Sequence, residues 1–306
     1  MAVDSSGNVY VADYYNYRIR KITPQGRVST FAGTGGTGSS NGPGNQATFR
    51  DPSGVAVDSS GNVYVADSDN WQIRKITPEG VVSLLAGRSN PMPGFRDGAG
   101  DQARFRLPVG VAVDLSGNVY VADKDNHRIR KVTPTGAVST IAGDGQWGYS
   151  DSGSEHYYRP SGWRPWAWKK RSIPVRFNSP RGVAVSSVGS IYVADTYNNR
   201  IRKINSDRSV HTIADRGVAV RLKRPKGIAV DSLGSLYVAD SGNHRILKFT
   251  PGGGVSVIAG DGTAGFRDGT GDQARFNSPT GVAVDSSDNV YVADSNNNRI
   301  RKIIRR

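Results

Sequence analysis

The tetrapeptide Tyr-Val-Ala-Asp occurs six times in this chain, ending at Asp13, Asp67, Asp123, Asp195, Asp240 and Asp294. Successive copies lie 54, 56, 72, 45 and 54 residues apart. Each sits in the same longer phrase: Gly-Val-Ala-Val-Asp, a Ser/Gly/Asn turn, Val-Tyr-Val-Ala-Asp, Asn-x-Arg-Ile-Arg-Lys-Ile, Thr-Pro-x-Gly and Val-Ser-Thr-x-Ala-Gly. A period of that length with four short apolar runs per unit is the mark of a radial repeat, not of several unlike domains. One unit cannot bury both faces of its own sheet, so residues 1–306 are expected to close into a single domain. Its units run approximately over 1–33, 54–87, 110–143, 182–214, 227–260 and 281–306.

Unit two serves as the template. Residues 55–57, 63–66, 73–76 and 82–86 read as four strands. Ser59-Ser60-Gly61-Asn62 is a hairpin turn in which Gly61 supplies a positive φ, and Thr77-Pro78-Glu79-Gly80 is a turn with Pro second and Gly fourth. In Val63-Tyr64-Val65-Ala66 both faces of the pleat are apolar, so both must be covered. Blades packed between blades satisfy that demand. The expected fold is all-β, a six-bladed propeller of four-stranded antiparallel blades. Turns joining strands one to two and three to four then share one face of the disc. The turns joining two to three, and the links between blades, share the other, and nearly all the variation between units falls there. Function is expected on that link face.

These phrases resemble the NHL repeat over nearly the whole chain. The links Gly94-Phe95-Arg96-Asp97-Gly98 and Gly265-Phe266-Arg267-Asp268-Gly269 are similar to those of bacterial NHL-repeat proteins. The resemblance implies a β-propeller that acts as a platform for protein and, in some members, for RNA. Propellers with similar repeats include lyases and hydrolases with a metal in the central channel, so it leaves an enzyme open.

Asp-x-x-Asn-x-Arg recurs in five units, and an Asp at a strand end can cap a turn and pair with the following Arg. The repeated set Asp13, Asp67, Asp123, Asp195, Asp240, Asp294, Arg18, Arg128, Arg200, Arg245 and Arg299 is therefore read as structural, with Gln72 the departure in unit two. Asp69 and Asp125 belong to the same reading, because a calcium loop needs more oxygens and a closing Glu. His127 and His244 share one variable position before Arg and read as turn-surface residues. No zinc spacing, nucleophile elbow or phosphate loop appears, so no catalytic residue, metal or cofactor is assigned.

Charge is unevenly spread. Of the net +14, residues 157–226 carry sixteen Lys/Arg and three Asp, while the remainder is nearly balanced. The longest link, from Gly143 to Pro180, holds Trp147, Trp163, Trp166 and Trp168, four of the five tryptophans. Trp163, Arg164, Trp166, Trp168, Lys169, Lys170, Arg171, Arg176, Arg221, Lys223 and Arg224 form the candidate binding set. Indoles and cations together suit an acidic protein surface, a polyanion with stacked bases, or an anionic membrane surface. They also suit a solvated rim. The link departs from the common wording between residues 149 and 176, which reads either as an insertion or as a local shift of coding frame. The preferred partner is a protein with an acidic surface, and RNA or another polyanion is the alternative.

Unit six ends after Arg301-Lys302-Ile303 without a Val-Ser-Thr-x-Ala-Gly, so its blade is expected to lack the outer strand and to offer an open edge for strand addition. The chain contains no cysteine, and Met1-Ala2-Val3-Asp4 belongs to the repeat rather than to a signal peptide, which leaves the compartment open. The opening in mid-phrase reads as a processed or truncated form.

Overall fold

The computed structural model describes residues 1–88, 90, 92–158, 169–214 and 220–304, without the side chains of 156–158 and 169–171. Unit two again shows the rule. Pro52–Val57, Val63–Asp67, Gln72–Ile76 and Val81–Ala86 are successive antiparallel neighbours. Each of the other blades repeats that order, the sixth with only three strands, Gly281–Val284, Val290–Asp294 and Arg299–Ile303. The first strands of adjacent blades touch around the whole ring, and Ala2–Val3 meets both Pro52–Val57 and Gly281–Val284. First strands therefore line the centre and fourth strands the rim. Blades six and one belong to separate sheets, so the ring closes by packing and not by a shared sheet.

The phrase explains why each blade packs as it does. Val63, Val65, Ala66, Ile73 and Ile76 are fully buried. Together with their counterparts they form five apolar clusters, one between each pair of blades from one–two to five–six. Approach at the centre is close enough to demand glycine. A Cβ on Gly54, Gly110 or Gly182 would overlap the carbonyl oxygen of Val109, Arg181 or Lys226, in or just before the neighbouring first strand.

The tyrosine of the phrase is tied to the Asp that ends the first strand. Asp58 accepts the Ser60 and Asn62 amides, the Asn62 Nδ2 and, at 2.9 Å, the Tyr64 hydroxyl. Asp4, Asp114, Asp231 and Asp285 accept the hydroxyls of Tyr10, Tyr120, Tyr237 and Tyr291 in the same way. The opposite turn, between strands two and three, is a single 3-10 turn whose last residue is left-handed: Tyr17, Trp71, His127, Asn199, His244 or Asn298, all near φ 54. The Asn before it reaches into the preceding link, as Asn126 Nδ2 donates to Gly94 O at 2.8 Å. The two-to-three turns and the links therefore share one face, as expected.

The long link before blade four contains a two-stranded ribbon, Glu155–Tyr158 with Lys169–Ser172. Its departure from the common wording is narrower than the sequence suggested. Tyr149 and Asp151 take the places of Phe95 and Asp97, and Arg176 bonds Asp144 as Arg275 bonds Asp261. Only the stretch between Ser152 and Val175 is foreign. Tyr for Phe, and Ser-Asp-Ser for Arg-Asp-Gly, hid the match.

Candidate binding face

The repeated polar residues sit where the two-to-three turn meets the incoming link. Asp123 is fully buried. Its carboxylate accepts the Arg106 amide at 2.8 Å, Asn126 Nδ2 at 2.8 Å and Arg130 Nη1 at 2.7 Å. Burial pushes the Asp67, Asp123 and Asp195 carboxyls up to about 6 against the pull of these donors.

The partner of each Asp corrects the expected pairing. Across the hairpin Arg128 stands directly opposite Asp123, yet the buried ion pair is made by Arg130, two residues further along the same strand face. Arg74, Arg202 and Arg301 do the same for Asp67, Asp195 and Asp294, while Arg20 meets Asp13 at 3.6 Å in a partly exposed pair. Thus, among the described residues, the cations paired with these aspartates are not Arg18, Arg128 or Arg299. Arg245 does pair as expected, with Asp240 at 2.9 Å, because Leu247 occupies the deeper position in blade five. Gln72 is no exception to the buried pair, since Arg74 follows it.

The first arginines hold links instead. Arg128 lies 3.7 Å from the Phe95 ring centre, Arg200 3.6 Å from Tyr149 and Arg299 3.9 Å from Phe266. Such stacking of guanidinium on an aromatic face is favourable. Arg18 and Arg128 also donate to Thr34 O and Asp144 O, in the outgoing links, at 2.7 and 2.8 Å. The deeper arginine reads the link backbone as well. Arg130 Nη2 donates to Arg96 O and its Nε and Nη2 to Asp97, and Arg202 repeats this with Ser150 O and Asp151. His127 and His244 each use Nδ1 to accept the amide of Ser179 and Ser278 at 3.1 Å, so both hold the entry to the next blade rather than a free turn surface.

Of the candidate binding set, Trp163, Arg164, Trp166 and Trp168 lie outside the described residues, as do the side chains of Lys169, Lys170 and Arg171, whose backbone forms the second strand of the ribbon. Arg176 is spent on Asp144, at 2.8 Å. Arg221, Lys223 and Arg224 are exposed in the link before blade five. There the Lys223 amide donates to Asp240, and the Arg224 amide to Asn199. The Arg224 guanidinium lies over the half-exposed Tyr197 ring, 5.9 Å from its centre, and Trp147 is 72% exposed in the preceding link.

Sequence reasoning missed a second group on this face, because its members are far apart in the chain and outside the repeated phrase. Burial pushes the Tyr14 phenol up to about 12, helped by Asp51 and Asp69 and opposed by Arg181. The Asp51 carboxyl is raised by burial and by its bond to Asp69. Lys226 is lowered by burial and then by Arg181 and Arg224. Residues of blades one, two, four and five thus feel one another's charge. Among the described residues no group of three or more His, Cys, Asp or Glu is placed to hold a metal ion.

Comparison with known proteins agrees with the architecture. The chain is 32% identical over 194 residues to NHL repeat-containing protein 2 of Bos taurus, covering 59% of this chain and 24% of that protein's length. Among solved structures it resembles the nidogen/laminin complex, with TM-score 0.63, 16% identity, and 97% of this chain and 88% of that one covered. It also resembles virginiamycin B lyase from Staphylococcus aureus, with TM-score 0.56, 14% identity, and 99% and 83% covered. At such identity these structures show the fold alone. The NHL repeat model matches residues 1–22, 49–76, 105–132, 177–204, 222–249 and 276–303, and the chain belongs to the NHL repeat family.

Proposed function

We propose that this chain is a non-enzymatic binding platform that docks a protein with an acidic surface on its link face, around blades four and five. The observation that carries the reading is a charge imbalance, sixteen Lys/Arg against three Asp over residues 157–226. The arginines of the repeat are held by their own aspartates and links. Arg221, Lys223 and Arg224 are exposed beside them, with no carboxylate partner among the described residues. Exposed cations with Arg224 over the Tyr197 ring are the kind of anchors that protein interfaces favour, and Trp147 is exposed in the preceding link. The nidogen/laminin complex and the lyase share only the fold with this chain, so they favour neither a platform nor an enzyme.

The test compares the native chain with Arg221→Glu/Lys223→Glu/Arg224→Glu on an immobilised poly-glutamate peptide and on single-stranded RNA at rising salt. The reading expects retention on the acidic peptide that the triple variant loses. Retention on RNA alone, falling steeply with salt, would replace it with the polyanion alternative. A native chain retained by neither at low salt would refute a platform built on these residues.

A further inference from the structure

The residue after the entry proline of the first strand varies from blade to blade, and in two neighbouring blades it is a cation. Ser53, Val109, Arg181, Lys226 and Thr280 fill the position in blades two to six. It lies at, or just before, the link end of the first strand. First strands line the centre, so these residues stand about the centre of the link face. Their backbones are pressed together, since a Cβ on Gly182 would overlap Lys226 O and one on Gly227 would overlap Thr280 O. The Arg181 amide donates to Ala194 O at 3.0 Å, which ties it to the second strand of its blade. Arg181 and Lys226 thus stand at one register on adjacent blades, each between a proline and a glycine.

In blades two and six, hydroxyls settle this position within the protein. Ser53 Oγ bonds Ser68 Oγ and donates to Val109 O at 3.0 Å, and Thr280 Oγ1 bonds Ser295 Oγ. The counterparts of Ser68 and Ser295 in blades four and five are Thr196 and Ser241, which spend their hydroxyls on Pro225 O and Pro279 O. Arg181 and Lys226 are both half-buried, and neither meets a carboxylate among the described residues. Arg181 Nε is buried and makes no hydrogen bond. Burial lowers the Lys226 pKa, Arg181 and Arg224 lower it further, and no acidic group opposes them. Asp51 and Asp69 bond each other, and neither acts on Lys226. Half-burying two like charges on adjacent strands without a counter-ion costs stability, and perturbed groups of this kind gather where a ligand supplies the missing charge.

We infer that Arg181 and Lys226 form a binding site for one oxyanion, a carboxylate or phosphoryl group, at the centre of the link face. The guanidinium offers a planar fork to two of its oxygens, and the ammonium adds a point charge. The proline and glycine flanking each cation hold the backbone in place, so little is lost in ordering the site. The site is separate from the exposed Arg221, Lys223 and Arg224, and it does not depend on an acidic protein docking there.

Isothermal titration of the whole chain with inorganic phosphate and with acetate, at constant ionic strength in chloride, tests it. Saturable binding of at least one probe is expected, at one site per chain. Arg181→Gln and Lys226→Gln are each expected to weaken it at least tenfold, roughly the worth of one hydrogen bond between charged groups. Neither substitution removes a bond within the protein, so both variants are expected to fold. Arg27→Gln, which removes an exposed cation from a turn on the opposite face, is expected to leave the affinity unchanged. Phosphate that displaces a bound poly-glutamate peptide would identify the occupant as an acidic side chain of a docked segment. Phosphate that binds without displacing it would identify a free small anion. Failure of the acidic-partner reading would appear instead as no retention of the peptide, with phosphate binding intact. Three results would overturn the inference: no saturable binding of either probe, binding by both variants as tight as that of the native chain, or an equal loss in Arg27→Gln.

Discussion

Arg130 is the clearest residue-scale lesson. It has no exposed side-chain surface and satisfies Asp123, Asp97 and two link carbonyls at once. Arg130→Leu leaves the Asp123 charge buried with only the Asn126 and Arg106 donors. Removing one partner of a buried ion pair costs about 3–5 kcal/mol, and that loss is expected in urea unfolding. Blade five shows the escape route, since Leu247 is tolerated there because Arg245 turns onto Asp240. Arg128 is instead held over Phe95 and by Asp144 O, so it is not free to substitute. A loss under about 1 kcal/mol would mean that Arg128 swings across as Arg245 does.

His127 makes the second prediction at this scale. Its Nδ1 must be unprotonated to accept the Ser179 amide. Burial lowers its pKa from 6.5, Lys124, Arg106 and Arg128 push the same way, and Asp125 opposes. The fold therefore prefers the neutral ring. As pH falls through 6.5 the unfolded chain takes up the proton first, so stability present above that value drains away below it. Asn199 fills the same left-handed position in blade four and offers its Oδ1 to the Arg224 amide, without titrating. His127→Asn is thus expected to match the native chain near pH 7.5 and to gain on it steadily toward pH 5. The buried aspartates titrate in both proteins and drop out of the difference. Parallel pH profiles for the two proteins would sink the argument.

At the scale of the element, the blade was legible because its turns are chemically marked. Gly61 does take the positive φ, and the four strands of unit two appear in the expected order, the first beginning earlier, at Pro52. Other features were not legible. Arg-Ile-Arg puts two cations on one strand face, and nothing in the pattern says which lies deeper; only the incoming link decides it, by stacking on the first and accepting bonds from the second. The link itself is recognised by geometry that different residues can meet, as Tyr149 and Asp151 meet it. The aspartates that anchor Tyr10, Tyr64, Tyr120, Tyr237 and Tyr291 were visible as strand ends, but their six-residue reach to a hydroxyl was not. Of the candidate site, the charge was legible and the mutual influence of Tyr14, Asp51, Asp69 and Arg181 was not. That group is assembled by ring closure, which no local phrase encodes.

At the scale of the whole molecule, stability should follow the seams. Five blade pairs share an apolar cluster of buried side chains, while blades six and one meet chiefly through Ala2–Val3 against Gly281–Val284. Blade six also leaves Ile300 and Ile303 half-exposed on its third strand, where the other blades bury their counterparts. Cooperative units with few buried apolar contacts open with lower free energy than the rest, and repeat architectures divide their stability between neighbouring units in this way. Native-state hydrogen exchange at low urea is therefore expected to show Val290–Asp294 and Arg299–Ile303 opening below the free energy of Val119–Asp123 and Arg128–Val132. Exchange that is uniform across the six second strands would show that the ring opens as one unit and that the seam between blades six and one is as strong as the others.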